Sequence, residues 1–171
     1  LAGLAIVAVA ISLVWAYQTT RPPATNPENL CRIDQAPPEA TTIVIDTTDA
    51  LAESESAQIL QEIERIREQM PPMGLIEIVQ ISEDASAAPA PLLSLCNPGH
   101  GREMNALYQN PKFAEKRWND AFRAPLELAL SQILGASSGR QSPLMESLRR
   151  LSAERINRPE LDASSKRLVV F

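Results

Sequence analysis

The order of apolar and polar residues along the chain predicts an α/β fold. Residues 42–45 form a short β-branched run without alternation, which is typical of a strand buried on both faces of a parallel sheet. Helical spacing follows at Ile59, Ile63, Ile66 and Met70. Residues 75–81 then form a second apolar run. A strand, a helix and a strand in succession constitute a βαβ unit, whose crossover is almost always right-handed.

The second half of the chain predicts two more helices. Residues 82–101 are rich in Ala, Ser and Pro, and we expect them to form a loop. The Asn-Pro pair at 110–111 is suited to the start of a helix that extends to Leu134. Pro125 lies inside this helix and should kink or divide it. A further helix is expected to begin at the Ser-Pro pair 142–143, with one apolar face formed by Leu144, Leu148 and Leu151.

The last residues, 166–171, predict a third buried strand, at which the chain stops. A parallel sheet of only three strands would leave hydrophobic edges unpaired and open to aggregation. We therefore expect the α/β domain to occupy residues 41–171, to continue beyond Phe171, and to be a fragment at both ends.

The first 17 residues are apolar, and no charged residue occurs before Arg21. A helix of this length spans about 26 Å, slightly less than the hydrocarbon core of a bilayer. Trp15 and Tyr17 at its end are suited to the headgroup interface. We therefore predict a single-pass transmembrane helix over 1–17. A cleaved signal peptide is the alternative.

Between this segment and the first strand, residues 18–40 contain five prolines: Pro22, Pro23, Pro27, Pro37 and Pro38. Closely spaced prolines favour extended chain and prevent a long helix. This segment is predicted to be a semi-rigid stalk that holds the domain away from the membrane.

Composition excludes several functional classes. The chain has 16 Lys and Arg against 21 Asp and Glu, a net charge of −5, and it lacks the basic stripe of a dedicated nucleic-acid binder. Two cysteines and one histidine are too few for a Cys/His zinc cluster.

Cys31 and Cys96 have enough intervening chain on either side to meet in a disulfide. Such bonds persist in oxidising compartments and are rare in the cytosol. A Cys31–Cys96 bridge would therefore place the domain on the extracytoplasmic (periplasmic) side of the membrane. The alternative is a pair of unrelated free thiols.

Residues 46–50, Asp-Thr-Thr-Asp-Ala, follow the first strand directly. Together with the order of elements, they resemble the von Willebrand factor type A (integrin I-like) domain. In that family an open, doubly wound sheet carries a metal-ion-dependent adhesion site at the C-terminal end of the first strand, where the strand order reverses. Its first motif is Asp-x-Ser-x-Ser. Asp46 and Thr48 match this motif in type, whereas Ala50 stands where the second hydroxyl belongs.

The resemblance implies a further ligand and a cofactor. The hydroxyl residue that the family places before a later helix corresponds to Ser142. The third element, an Asp beyond the strand that 168–171 resembles, is not in the chain. The implied fold is an incomplete doubly wound, mostly parallel sheet with flanking helices, and the implied cofactor is Mg²⁺ or Ca²⁺ held by Asp46, Thr48 and Ser142.

Two other interpretations of Asp46 remain open. Its carboxylate could simply cap the first turn after the strand, within an ordinary polar loop. An Asp at this place also begins the active site of haloacid dehalogenase-like hydrolases, but those enzymes need a second Asp two residues later, where this chain has Thr48.

The sequence thus supports two functional hypotheses. The first is a membrane-tethered module that binds a protein partner at the rim of the sheet, with a divalent cation or without one, and has no catalytic residue. The second is a membrane-anchored hydrolase that uses Asp46.

Overall fold

The computed structural model describes residues 10–15, 24–81, 88–101, 110–135, 142–157 and 162–171. These residues form strands β1 (Glu39–Asp46), β2 (Leu75–Ile81), β3 (Pro91–Cys96) and β4 (Ser165–Val170). They also form helices α1 (Glu53–Gln69), α2 (Pro111–Trp118), α3 (Ala124–Leu134) and α4 (Leu144–Leu151). Two π-helical turns, Asn119–Arg123 and Ser152–Ile156, join α2 to α3 and extend α4. The predicted α/β class is confirmed.

The described strands form one mostly parallel sheet in the order β3-β2-β1-β4. Strand β1 pairs in parallel with β2 on one side and with β4 on the other. Strand β3 pairs antiparallel with the outer side of β2. Because β1 has a parallel neighbour on each side, it is the central strand, and all its residues from Ala40 to Ile45 are buried.

Helices cover both faces of the sheet, as in a doubly wound fold. On one face, β1 and β2 present Ile43, Ile45, Ile76 and Ile78 to α1, α2 and α3. On the opposite face, Val44, Val79 and Ile81 pack against α4 and its π-helical extension through Leu144, Leu148, Leu151 and Ile156. The leucine face predicted for α4 is the one that contacts the sheet.

The prediction that residues 82–101 form a loop is wrong for their second half, which contains β3. Pro91 stands at the first position of this edge strand, where the missing N–H of a proline is tolerated. Leu95 belongs to the main core and Leu93 packs against it, on the side of the sheet where β3 contacts α3. The Pro-rich context concealed this short strand, in which Leu92 and Leu93 are adjacent and no clear alternation marks it as a strand.

The prediction that the last strand is buried is wrong. Within the described residues β4 pairs only with β1, so it lies at an edge of the sheet. Leu168 and Val170 are 41% and 40% exposed. Val169 and Phe171 point to the other face and pack against the main core. The apolar residues 168–171 therefore lie at an edge of the sheet, where only one face is packed against the core.

The long stretch stays helical on both sides of Pro125. A π-helical turn, Asn119–Arg123, runs directly into the first turn of α3, which contains Pro125. The proline region therefore interrupts the regular α-helical pattern without ending the helix. Helix α1 begins at Glu53. The N-cap is Ala52, whose N–H donates to Glu55 Oε2 at 2.8 Å.

The predicted transmembrane segment lies largely outside the described residues. Residues 10–15 are helical and exposed. Among the residues that the structure describes, no helix is long and apolar enough to cross a membrane.

The segment before β1 packs against the domain from Ala24 onward. Leu30 is buried in the main core. Cys31 forms a disulfide with Cys96, as predicted, and the Cys96 N–H donates to the Asn29 carbonyl at 2.7 Å. The folded unit therefore includes part of the predicted stalk. Residues 18–23 lie outside the described residues.

We expect the disulfide to stabilise the domain by about 4 kcal/mol, because it closes a loop across a sequence separation of 65 residues in the unfolded chain. Replacing Cys31 and Cys96 by Ala should lower the free energy of unfolding by about this amount. Urea unfolding with and without a reducing agent measures the loss. If the oxidised wild-type and the double variant have the same midpoint, this role of the disulfide is refuted.

Candidate functional site

The candidate site lies at the C-terminal end of β1, where the order of strand addition reverses. The chain adds β2 and β3 on one side of β1 and then returns to place β4 on the other side. The Asp46 N–H donates to the Phe171 carbonyl at 3.0 Å, which brings the end of β4 beside the end of β1. In open α/β sheets, ligands bind in the crevice at this reversal point.

The three predicted ligand residues come together here. Asp46 Oδ1 accepts hydrogen bonds from the Thr48 N–H at 3.0 Å and from Thr48 Oγ1 at 2.7 Å. Asp46 Oδ2 accepts a hydrogen bond from Ser142 Oγ. Ser142 is 96 residues away in the chain, so only the tertiary fold brings it to Asp46.

Local structure explains the position of each side chain. The bond from the Thr48 N–H to the Asp46 side chain spans two residues, which is the Asx turn that Asp favours after a strand. Ser142 precedes Pro143, the N-cap of α4. Its position is therefore determined by the packing of α4 on the sheet.

A neighbouring contact holds the loop after β1, and the sequence analysis missed it. Thr47 is fully buried, and its Oγ1 accepts a hydrogen bond from Gln80 Nε2 at 2.7 Å. Gln80 pairs with Ile45 in the parallel register and is the one polar residue in the second half of β2. The signal in the sequence that could have indicated this contact is a polar residue near the end of a mostly apolar strand.

The environment of Asp46 favours its ionised form. Partial burial raises the pKa of this carboxyl group, but the hydrogen bonds from Ser142 and from the N–H and hydroxyl of Thr48 lower it by more. The net effect is a pKa below the ordinary value, because each of these donors stabilises the carboxylate. Asp46 is therefore negatively charged at neutral pH.

The side chains at the site fit a hard divalent cation. One carboxylate and two hydroxyls supply oxygen atoms only, which are the ligands that Mg²⁺ and Ca²⁺ prefer. Ala50 and Asp49 are exposed in the same loop. Within the described ranges, no group of three or more His, Cys, Asp or Glu side chains could hold a metal ion. Protein charge at such a site would come from Asp46, with hydroxyls and waters completing the coordination.

The hydrolase interpretation gains no support from the contacts of Asp46. Thr48 occupies the position where that chemistry needs an acidic partner, and its hydroxyl donates to Asp46. Both carboxylate oxygens accept hydrogen bonds from neutral donors.

We expect Asp46 to make stability depend on acidic pH. A carboxyl group whose pKa is lower in the folded state stabilises the fold above its unfolded pKa of about 3.9, and this contribution is lost as pH falls through the folded pKa. The free energy of unfolding of the wild-type should therefore fall more steeply than that of Asp46→Asn between about pH 5 and pH 3. Urea unfolding at each pH measures the two slopes.

Asp49→Asn is the matched control for this experiment, because it removes an exposed carboxylate from the same loop. It should retain the wild-type slope. Equal slopes for the wild-type and Asp46→Asn would contradict the prediction.

Comparison with known proteins gives no relative for this chain. No protein-family model matches it, and neither a curated protein nor a solved structure matches it.

Proposed function

We propose that this domain is a protein-binding module that contacts its partner at the C-terminal end of β1, through a divalent cation held by Asp46, Thr48 and Ser142. The observation that carries the proposal is the convergence of these three side chains at the point where the strand order reverses. Thr48 bonds to the Asp46 carboxylate from two residues away in the chain, and Ser142 bonds to it from 96 residues away.

The resemblance to von Willebrand factor type A domains supports the same assignment. It selected Asp46, Thr48 and Ser142 on sequence alone, and these residues are in contact. The sheet is doubly wound at β1, as the resemblance requires. Ala50 is the departure from the family motif, and it removes one hydroxyl from the ligand set.

The oxygen donors favour Mg²⁺ over Ca²⁺ as the resident ion. Mg²⁺ is commonly bound through one or two carboxylates and retains several waters, whereas Ca²⁺ takes six to eight oxygens. Asp46 and two hydroxyls form a small ligand set of the first kind. Waters in the remaining positions face solvent, since Ser142 is exposed, and a partner's oxygen atom can replace one of them.

We further propose that residues 1–17 tether the module to a membrane and that the domain lies on the extracytoplasmic side. The uncharged apolar sequence of 1–17 supports the tether. The Cys31–Cys96 disulfide supports the sidedness, because such bonds are rare in the cytosol.

Millimolar Mg²⁺ should raise the melting temperature of the wild-type protein, and Asp46→Ala should abolish this rise while the fold is retained. Binding to the native state alone stabilises it by about 2.7 kcal/mol at 100 times the dissociation constant. Thermal melts with MgCl₂, MnCl₂ and CaCl₂ measure the effect, and circular dichroism checks the fold.

The control for the metal experiment is Asp34→Ala. Asp34 is exposed and pairs with Arg32 in the segment before β1, so its loss should leave the response to Mg²⁺ unchanged. A wild-type protein whose melting is indifferent to all three ions would refute the cation.

The tether predicts that the protein remains in the membrane fraction after carbonate extraction, because only the removal of lipid releases a helix that spans the bilayer. Fractionation followed by N-terminal sequencing measures this. Recovery of a soluble form that begins near Tyr17 would contradict the anchor and indicate a cleaved signal peptide.

A further inference from the structure

Helix α4 and its π-helical extension cover one face of the sheet and make a polar contact with the sheet at each end. At the beginning, Ser142 donates to Asp46. At the far end, Arg155 in the π-helical turn forms an ion pair with Glu77 of β2, with Nη2 and Oε1 at 2.7 Å. The contacts between these ends are apolar, through Leu144, Leu148, Leu151 and Ile156.

Glu77 is a charged residue in the middle of the sheet and is only 1% exposed. Arg155 donates to both of its carboxylate oxygens, from Nη2 at 2.7 Å and from Nε at 3.3 Å. The strand neighbours on either side add one hydroxyl each: Thr42 Oγ1 at 3.3 Å and Ser94 Oγ at 3.2 Å. A buried carboxylate with this many donors defines one position for the arginine.

Apolar packing defines the position of α4 along the sheet less closely than this ion pair does, because hydrophobic contact is non-directional. The arginine–carboxylate fork is directional, and its geometry is fixed by two parallel hydrogen bonds. The helical segment from Leu144 to Ile156 is about 20 Å long. A small tilt at the Arg155 end would therefore displace the Ser142 end by about 1 Å, a distance that is large for a binding site.

We propose that Glu77 and Arg155 are positioning residues for the candidate cation site: their ion pair fixes the α4 segment so that Ser142 lies beside Asp46, and it thereby determines the affinity of the site for a divalent cation. This inference rests on the proposed function, because it assigns the control of that same site. Neither residue contacts Asp46, so their effect passes through Ser142.

The test is the affinity of the full chain for Mg²⁺ and Mn²⁺, measured by isothermal titration. Arg155→Met keeps an unbranched side chain that can replace the aliphatic part of the arginine, and it removes the guanidinium fork. We expect it to weaken cation binding by about 10- to 100-fold, the range found when residues that orient metal ligands are replaced. The matched control is Arg149→Met on the same helix. Arg149 is 69% exposed, and among the residues that the structure describes its ion pair is with Glu146 on the same helix, so its loss should leave the affinity unchanged.

A double-mutant cycle separates positioning from a general loss of structure. If the pair acts through Ser142, then Arg155→Met should have no further effect on cation affinity in a Ser142→Ala background. An equal effect in both backgrounds would overturn the proposal, and so would an Arg155→Met variant that binds the cation as the wild-type does.

Arg155→Met leaves Glu77 buried without its ion-pair partner, and the variant could fail to fold. The double variant Glu77→Leu/Arg155→Met removes both charges and should restore the fold, since apolar residues often replace a buried ion pair without loss of stability. It should still bind the cation weakly, because the fork is absent. Wild-type affinity in this folded double variant would overturn the proposal.

If the wild-type binds neither cation, the proposed function fails by itself, and hydrogen exchange then decides the positioning. The Ser147 N–H donates to the Pro143 carbonyl at 2.9 Å in the first turn of α4. Faster exchange of this amide in Glu77→Leu/Arg155→Met than in Arg149→Met would support the role of the ion pair. Equal exchange rates would overturn it.

Discussion

The pairing of β1 with a parallel strand on each side is the constraint on which the rest of the structure depends. A buried strand must satisfy its backbone hydrogen bonds within the protein, and β1 does so with β2 over Ala40–Asp46 and with β4 over Glu39–Val44. Strands added first on one side of β1 and then on the other force the connecting helices onto opposite faces, because crossovers are right-handed. Because helices cover both faces of the sheet at β1, the residues on both sides of this strand are buried.

The same arrangement creates the candidate site. In open α/β sheets, the C-terminal ends of the strands face a crevice at the point where the connections on the two sides of the central strand part. Asp46 ends β1 at this point, and Ser142, which bonds to it, lies two residues before the start of α4. Thr48 from the loop and Ser142 from the segment before α4 thus bond to the same carboxylate, although they are far apart in the chain.

The opposite edge of the sheet is held by polar contacts of a different kind. Asn97 follows β3 and is buried. Its Nδ2 donates to the Met70 carbonyl at the end of α1, and its Oδ1 accepts from Trp118 Nε1, both at 3.0 Å. One amide thus connects β3, α1 and α2, and the disulfide joins the preceding segment to the same edge. These contacts connect several elements at the β3 edge, whereas at the candidate site each contact to Asp46 comes from a hydroxyl or from the loop itself.

What the sequence determined by itself is the set of elements whose signals are local. The β-branched run of β1, the helical spacing of α1 and the Asn-Pro start of α2 each act within one turn or one strand, so they could be predicted. Asp46, Thr48 and Ser142 could be selected as a group only because they resemble a family motif.

The tertiary structure alone decided which strands are edges and which charges are buried. Strand β3 was hidden in a Pro-rich stretch, and β4 is exposed despite its apolar sequence, because exposure depends on how many neighbours a strand receives. From the sequence alone, Glu77 would be expected at the surface. It is buried in the structure, where it pairs with Arg155, 78 residues later in the chain. Contacts of this range follow from the order of strands in the sheet, and that order is a property of the assembled chain that no local run of residues encodes.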